Sequence, residues 1–123
     1  MNLLLDTHVL IWWDAGDEIT PAALEAIQGA RQVFVSAASA WEIAIKTELG
    51  KIRSTRSVAE ACEASGFEEL PVTFAHAAAL HRLKRVHRDP FDRLLVAQAL
   101  VEGLTVVTRD PVFARYGVEV RGV

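Results

Sequence analysis

Four acidic residues stand out by position: Asp6, Glu42, Asp92 and Asp110. Asp6 closes the apolar run "NLLL", and Asp110 follows "LTVVT" (Leu104–Thr108) after Thr108-Arg109. Glu42 comes one to two helical turns after "VFVS" (Val33–Ser36), where its longer side chain could reach back. Asp92 lies in "HRDPFDRLLVAQAL", three residues after Asp89 and just before an apolar helical stretch. Converging carboxylates repel, so they stay ionised together only around cations. Hard oxygen ligands in that number suit Mg²⁺ or Mn²⁺.

Each acid also has a purely structural use. Asp6 could cap a helix starting at Thr7, and Asp110, before Pro111, could cap a short helix. Glu42 could close a capping box with Ser39 in "SAWE" and pair with Lys46 four residues on. Asp92 could be the third-position acid of a box with Asp89. Singly, each structural use is the stronger reading. Four acids reaching one edge of a sheet would need four coincidences. Of the two close aspartates, Asp89 is the structural one: it precedes Pro90, which pushes it out of the helical region into the conformation an N-cap needs.

The elements that must position these acids alternate. "NLLL", "VFVS" and "LTVVT" are short, apolar and partly β-branched, as buried strands are, while "EELPV" and "VEV" are weaker strand candidates. Between them the spacing predicts a helix from Thr20-Pro21 to Gly29 and one from Ala38 to Leu49 with Gly50 as its cap. Further helices are predicted from Ser57 to Ser65, over "TFAHAAALHRLKR", and from Asp89-Pro90 to Gly103. This order implies an α/β fold with a mostly parallel sheet, whose sites form at the carboxyl ends of the strands.

The 123 residues fit a single domain, 1–123, with no linker-like or repeated segment, and 51% apolar content is enough for a core. One cysteine, Cys62, excludes an internal disulfide and reads as a packed apolar group. "MNLLLDTHVLIWWDA" lacks a basic leader and is interrupted by Asp6, so it is not read as a secretion signal, and the expected location is cytoplasmic. The net charge of −3 argues against a polyanionic partner, but the distribution does not. Five basic residues lie between Arg82 and Arg93, beside His81 and His87, and Lys46, Lys51, Arg53 and Arg56 form a second basic region. A solvated helix face is the default reading of such runs. Setting the four acids aside leaves 12 acidic against 13 basic residues.

"LLLDTHVLIWW", "VSAASAWEIAIKTELGKI", "HRDPFDRLLVAQAL" and "VVTRDPVFARYGV", in this order and at these spacings, closely resemble the PIN-domain ribonucleases, specifically the VapC-type toxins of toxin–antitoxin pairs. The likeness runs over nearly the whole chain; a lone D-T-H is weak, the ordered set is specific. It implies a three-layer α/β/α fold and metal-dependent endonucleolytic cleavage of RNA, leaving 5′-phosphate and 3′-hydroxyl ends. It places the metal and catalytic site on Asp6, Glu42, Asp92 and Asp110, with Thr7 and Thr108 as supporting hydroxyls. It also implies a homodimer and a cognate antitoxin.

In that chemistry a carboxylate-held Mg²⁺ lowers the pKa of a bound water, and a second ion can take the charge on the leaving oxygen. Asp6 is expected as the central ligand, completed by Glu42 and Asp92, with Asp110 helping a second metal or the water. Lys46, Arg93 and Arg109 lie nearest the acids and are candidate RNA phosphate contacts, with structural ion pairs as the competing use. His8 reads as a first-turn helix residue, and His76, His81 and His87 show no ligand spacing. Trp12, Trp13 and Trp41 read as core or interface rather than stacking platforms; adjacent Trp12 and Trp13 cannot both face inward. The rival readings are a receiver-like Mg²⁺-binding signalling domain, a D-x-D phosphatase and a non-catalytic PIN-like binding module. The first two fit poorly: only Asp6 ends the first strand, no lysine follows Lys84, and the motif is Asp6-Thr7-His8.

Overall fold

The computed structural model describes residues 1–17, 19–53 and 56–123. Its strands are β1 (Asn2–Leu5), β2 (Gln32–Ser36), β3 (Glu68–Leu70), β4 (Thr105–Thr108) and β5 (Val120–Gly122). Its helices are α1 (Thr7–Ala15), α2 (Pro21–Gly29), α3 (Ala37–Glu48), α4 (Val58–Ser65), α5 (Phe74–Ala79) and α6 (Pro90–Glu102). Two short 3-10 segments, Leu80–Arg82 and Phe113–Tyr116, join them. All strands run parallel in the order β3-β2-β1-β4-β5. The chain steps outward from β1 to β3, then returns to β4 on the other side of β1. The order therefore reverses between β1 and β4, where open α/β sheets leave a crevice.

Period-two alternation in the central strands builds the three layers. Leu3, Leu5 and Val107 face one apolar layer with Val9, Leu10, Ile27, Ile43, Cys62 and Phe67 from the α1–α4 side. Leu4 and Val106 face the other, with Leu95, Val96 and Ala99 of α6 and Phe113, Tyr116 and Val118. Leu3, Leu4, Leu5, Val106 and Val107 are fully buried, as a central parallel strand requires. The α/β/α expectation holds. Cys62 is buried, as an apolar group would be. Among the described residues no helix is long and apolar enough to cross a membrane.

Three local expectations change. The helix over "TFAHAAALHRLKR" stops at Ala79, and Leu83 is extended. Beyond it the Arg93 guanidinium donates to the carbonyls of Leu80 (3.5 Å) and Lys84 (3.0 Å), and Leu80 O also accepts the Leu83 N–H of the 3-10 turn. The last strand begins at Val120, two residues later than "VEV" suggests. The N-cap of α3 is Ser36, bonded to the Ala38 N–H, so Ser39 lies inside the helix and makes no capping box with Glu42. Gly50, at φ +72°, follows the end of α3 in the left-handed conformation that glycine adopts without strain.

Asp89 caps α6 as expected. Its backbone is extended, and Oδ1 accepts from the N–H groups of Phe91 (2.9 Å) and Asp92 (3.2 Å). Asp89→Ala is expected to cost about 1 kcal/mol in a urea or thermal melt; an unchanged midpoint would contradict the cap.

Candidate active site

Asp6 sits at the β1/β4 crevice because β1 ends there and α1 begins. It is 5% exposed. Its N–H donates to Val107 O across the strand pair, and Oδ1 accepts from His8 N–H (3.3 Å), so the aspartate caps α1. Oδ2 accepts from the Thr108 hydroxyl of β4 (2.7 Å). The carboxylate is thus both cap and crevice group; the structural and functional readings of Asp6 do not compete. Thr7 is buried and donates to Ser39 Oγ on α3 (2.8 Å), which ties α3 to the start of α1.

Glu42, on the second turn of α3, is 2% exposed. Oε2 accepts from Lys46 Nζ (2.6 Å), the i,i+4 pair expected from the sequence. Oε1 is buried with no hydrogen-bond partner. An ionised acceptor in that state is costly unless something positive completes it. Asp92 opens α6, and Oδ2 meets His87 Nε2 at 3.3 Å. Burial, and then the negative charge of Asp89, push its carboxyl up to about 6, with Asp6 and Glu42 adding to the effect and His87 opposing it. Asp6, Glu42 and Asp92 therefore share one repulsive field. Lys46 answers it: its bond to Glu42, with Asp89 and Asp92 nearby, holds the ammonium above its ordinary pKa. The Asp6 carboxylate, 3.8 Å from His8 Nδ1, likewise raises that imidazole.

Asp110 stands apart. It is exposed, and Oδ1 caps the following turn by accepting from Val112 N–H (2.9 Å). Its link to the crevice is Thr108, whose hydroxyl accepts from Asp110 N–H (3.0 Å) while donating to Asp6. Among the described residues no three carboxylate, histidine or cysteine side chains close into a ready coordination cluster.

Of the expected phosphate contacts, Lys46 is engaged by Glu42 and Arg93 is an internal brace. Besides the two carbonyls, Arg93 donates to the Tyr116 hydroxyl (3.3 Å). Arg109 is exposed at the crevice, with its guanidinium 4.0 Å from the Trp12 ring centre and Nε bonded to Val123 O. The adjacent tryptophans do diverge: Trp13 packs on Phe67 and bonds Ser65 Oγ, while Trp12 lies under Arg109. Trp41 is not core; it is 62% exposed and meets Phe91 edge-on. His76 is fully buried and bonds Glu102, and His87, which has no ligand spacing in the sequence, touches Asp92. A histidine five residues before an aspartate, across a proline, carries no signal until the loop bends it back.

A parallel α/β/α sheet with buried carboxylates at its β1/β4 crevice defines the class. Residues 3–119 match the PIN domain, and the chain belongs to the PIN-domain family. It is 34% identical over 117 residues to Ribonuclease VapC22 of Mycobacterium tuberculosis (strain ATCC 25618 / H37Rv), covering 89% of this chain and 87% of that protein. Its fold is similar to VapBC2 from Rickettsia felis, solved bound to a promoter DNA fragment, with a TM-score of 0.74, 14% identity and coverage of 99% and 98% of the two chains. It is also similar to DNA-bound VapBC from Salmonella typhimurium, with a TM-score of 0.72, 18% identity and coverage of 99% and 98%.

Proposed function

We propose that this chain is an endoribonuclease toxin, dependent on Mg²⁺ or Mn²⁺, that cleaves RNA phosphodiester bonds and is neutralised by a cognate antitoxin. The likeness to Ribonuclease VapC22 and to the VapBC assemblies supports the ribonuclease and the antitoxin partner. One observation carries the metal reading: the unpartnered, buried Glu42 Oε1 lies in the same field as Asp6 and an Asp92 whose proton is held to about 6. That all-oxygen donor set fits a hard divalent cation. Asp6, Glu42 and Asp92 would hold it, with Asp110 on the open side for a second ion or the attacking water. When bound, such an ion supplies an acidic water and positive charge for the leaving oxygen.

The chain's own groups do the positioning. Thr108 fixes one oxygen of Asp6, leaving the other turned toward α1. Lys46 fixes Glu42 Oε2 and offsets part of the negative field that an approaching phosphate meets. Arg109, stacked on Trp12 at the crevice rim, is the best-placed phosphate contact of the three considered. The homodimer implied by the family likeness and the cytoplasmic setting expected from the N-terminal sequence belong to this same reading.

The test is incubation of the purified protein with total RNA and Mg²⁺, followed by mapping of new 5′ ends. Discrete cleavage lost in Asp6→Asn supports the reading; identical fragments from that variant would reject the site. A second expectation concerns binding. Arg82, Lys84, Arg85 and Arg88 are exposed on the segment before α6. If they track phosphates, RNA affinity falls with salt, and replacing Arg85 and Arg88 by alanine reduces the slope of log K against log salt by about 1–2. An unchanged slope returns them to a solvated face.

A further inference from the structure

Tyr116 lies in the 3-10 segment after β4 and is 7% exposed. Its hydroxyl oxygen receives two donors, the His87 backbone N–H (3.3 Å) and Arg93 Nη1 (3.3 Å). A phenol oxygen has two lone pairs and one proton. With both lone pairs used, the proton is left for the remaining neighbour, His87 Nδ1, at 2.8 Å. That nitrogen must then be the acceptor, so the neutral imidazole carries its proton on Nε2. Nε2 faces Asp92 Oδ2 at 3.3 Å.

We infer that Arg93, Tyr116 and His87 form a relay that fixes the His87 tautomer so that it donates to Asp92 Oδ2, which would leave the other carboxylate oxygen for the cation of the proposed site. His87 and Tyr116 are positioning residues for a ligand, a role that no motif reading of the chain assigns to them. The relay also anchors the basic segment, because Arg93 holds the Leu80 and Lys84 carbonyls at the same time. Groups that hold a metal ligand from behind set its orientation, and their loss typically weakens metal binding about 10- to 100-fold. The inference rests on the metal reading above, but its first test needs no metal.

That test is a long-range proton–nitrogen correlation spectrum of the ¹⁵N-labelled full chain without metal at pH 7.5. His87 is assigned by the signals that vanish in His87→Gln. The relay requires the Nε2–H tautomer; an Nδ1–H tautomer overturns it. The second test titrates Mn²⁺, read from the free-ion paramagnetic signal, into variants checked by thermal melts. His87→Ala is expected to weaken binding about tenfold or more. Tyr116→Phe should weaken it less, and His87→Gln, whose amide N–H can replace Nε2–H, should recover most of the loss. Unchanged affinity in a folded His87→Ala or Tyr116→Phe overturns the relay, as does a His87→Gln as weak as the alanine. If Asp92→Asn also binds Mn²⁺ normally, the metal reading itself has failed, which the tautomer result alone would not show.

Discussion

Asp92→Asn is expected to lose RNA cleavage by about a hundredfold or more, since a ligand matters at least as much as the groups behind it, and yet to melt higher than the parent when no metal is present. The second half follows from the sign of the carboxyl's shift. Burial and the nearby acids raise its pKa from 3.8 to about 6 in the folded protein. A group raised on folding contributes stability that is fully present below the unfolded pKa and is lost as pH rises through the folded one. The metal-free protein therefore loses stability between about pH 4 and pH 6, by something on the order of 3 kcal/mol. Asparagine keeps the shape and removes the charge, which returns much of that and raises the melting temperature at pH 7.5 by about 5 °C or more. Asp89→Asn is the control. Asparagine caps helices as well as aspartate does, so folding and cleavage should both persist. A dead Asp89→Asn beside an active Asp92→Asn would reverse the two roles, and an Asp92→Asn that melts lower at pH 7.5 would refute the repulsion argument.

Removal of divalent metal is the second large effect. Excess EDTA is expected to abolish cleavage, with activity restored by Mg²⁺ or Mn²⁺ and not by Na⁺. Metal should also stabilise the fold, by about 2.7 kcal/mol at a hundredfold excess over its dissociation constant. The gain should shrink from pH 7.5 to pH 5, because below about 6 Asp92 holds a proton that must leave before it can ligate. Paired melting curves at the two pH values, with and without Mg²⁺, measure this. Full activity in EDTA, or a gain that grows on acidification, would sink the metal assignment.

Much of the molecule was decided by local chemistry that a sequence displays. Leu3–Leu5 and Val106–Val107 are apolar without a break, which only a strand covered on both faces tolerates. Asp89-Pro90 and Thr20-Pro21 state helix starts outright, because proline restricts its neighbour and needs no N–H partner. Three of the four acids follow strand ends, and parallel strands carry such positions to one edge whatever the loops do. The structure decided what depends on distant partners. Asp6 and Thr108 meet only because β4 inserts beside β1, 102 residues away in sequence. The helix after Thr73 stops at Ala79, and the Leu80 and Lys84 carbonyls beyond it receive Arg93 from another helix. Asp110 caps its own turn, as its place before Pro111 allows, but that it is the exposed member of the four acids is decided by the fold. His87 had no readable role until a loop, a tyrosine 29 residues on and an arginine on α6 came together around it. Local propensity acts between neighbours and is written along the chain; the pairing of polar groups across the crevice depends on the packed fold, because only there does burial force each donor to find its acceptor.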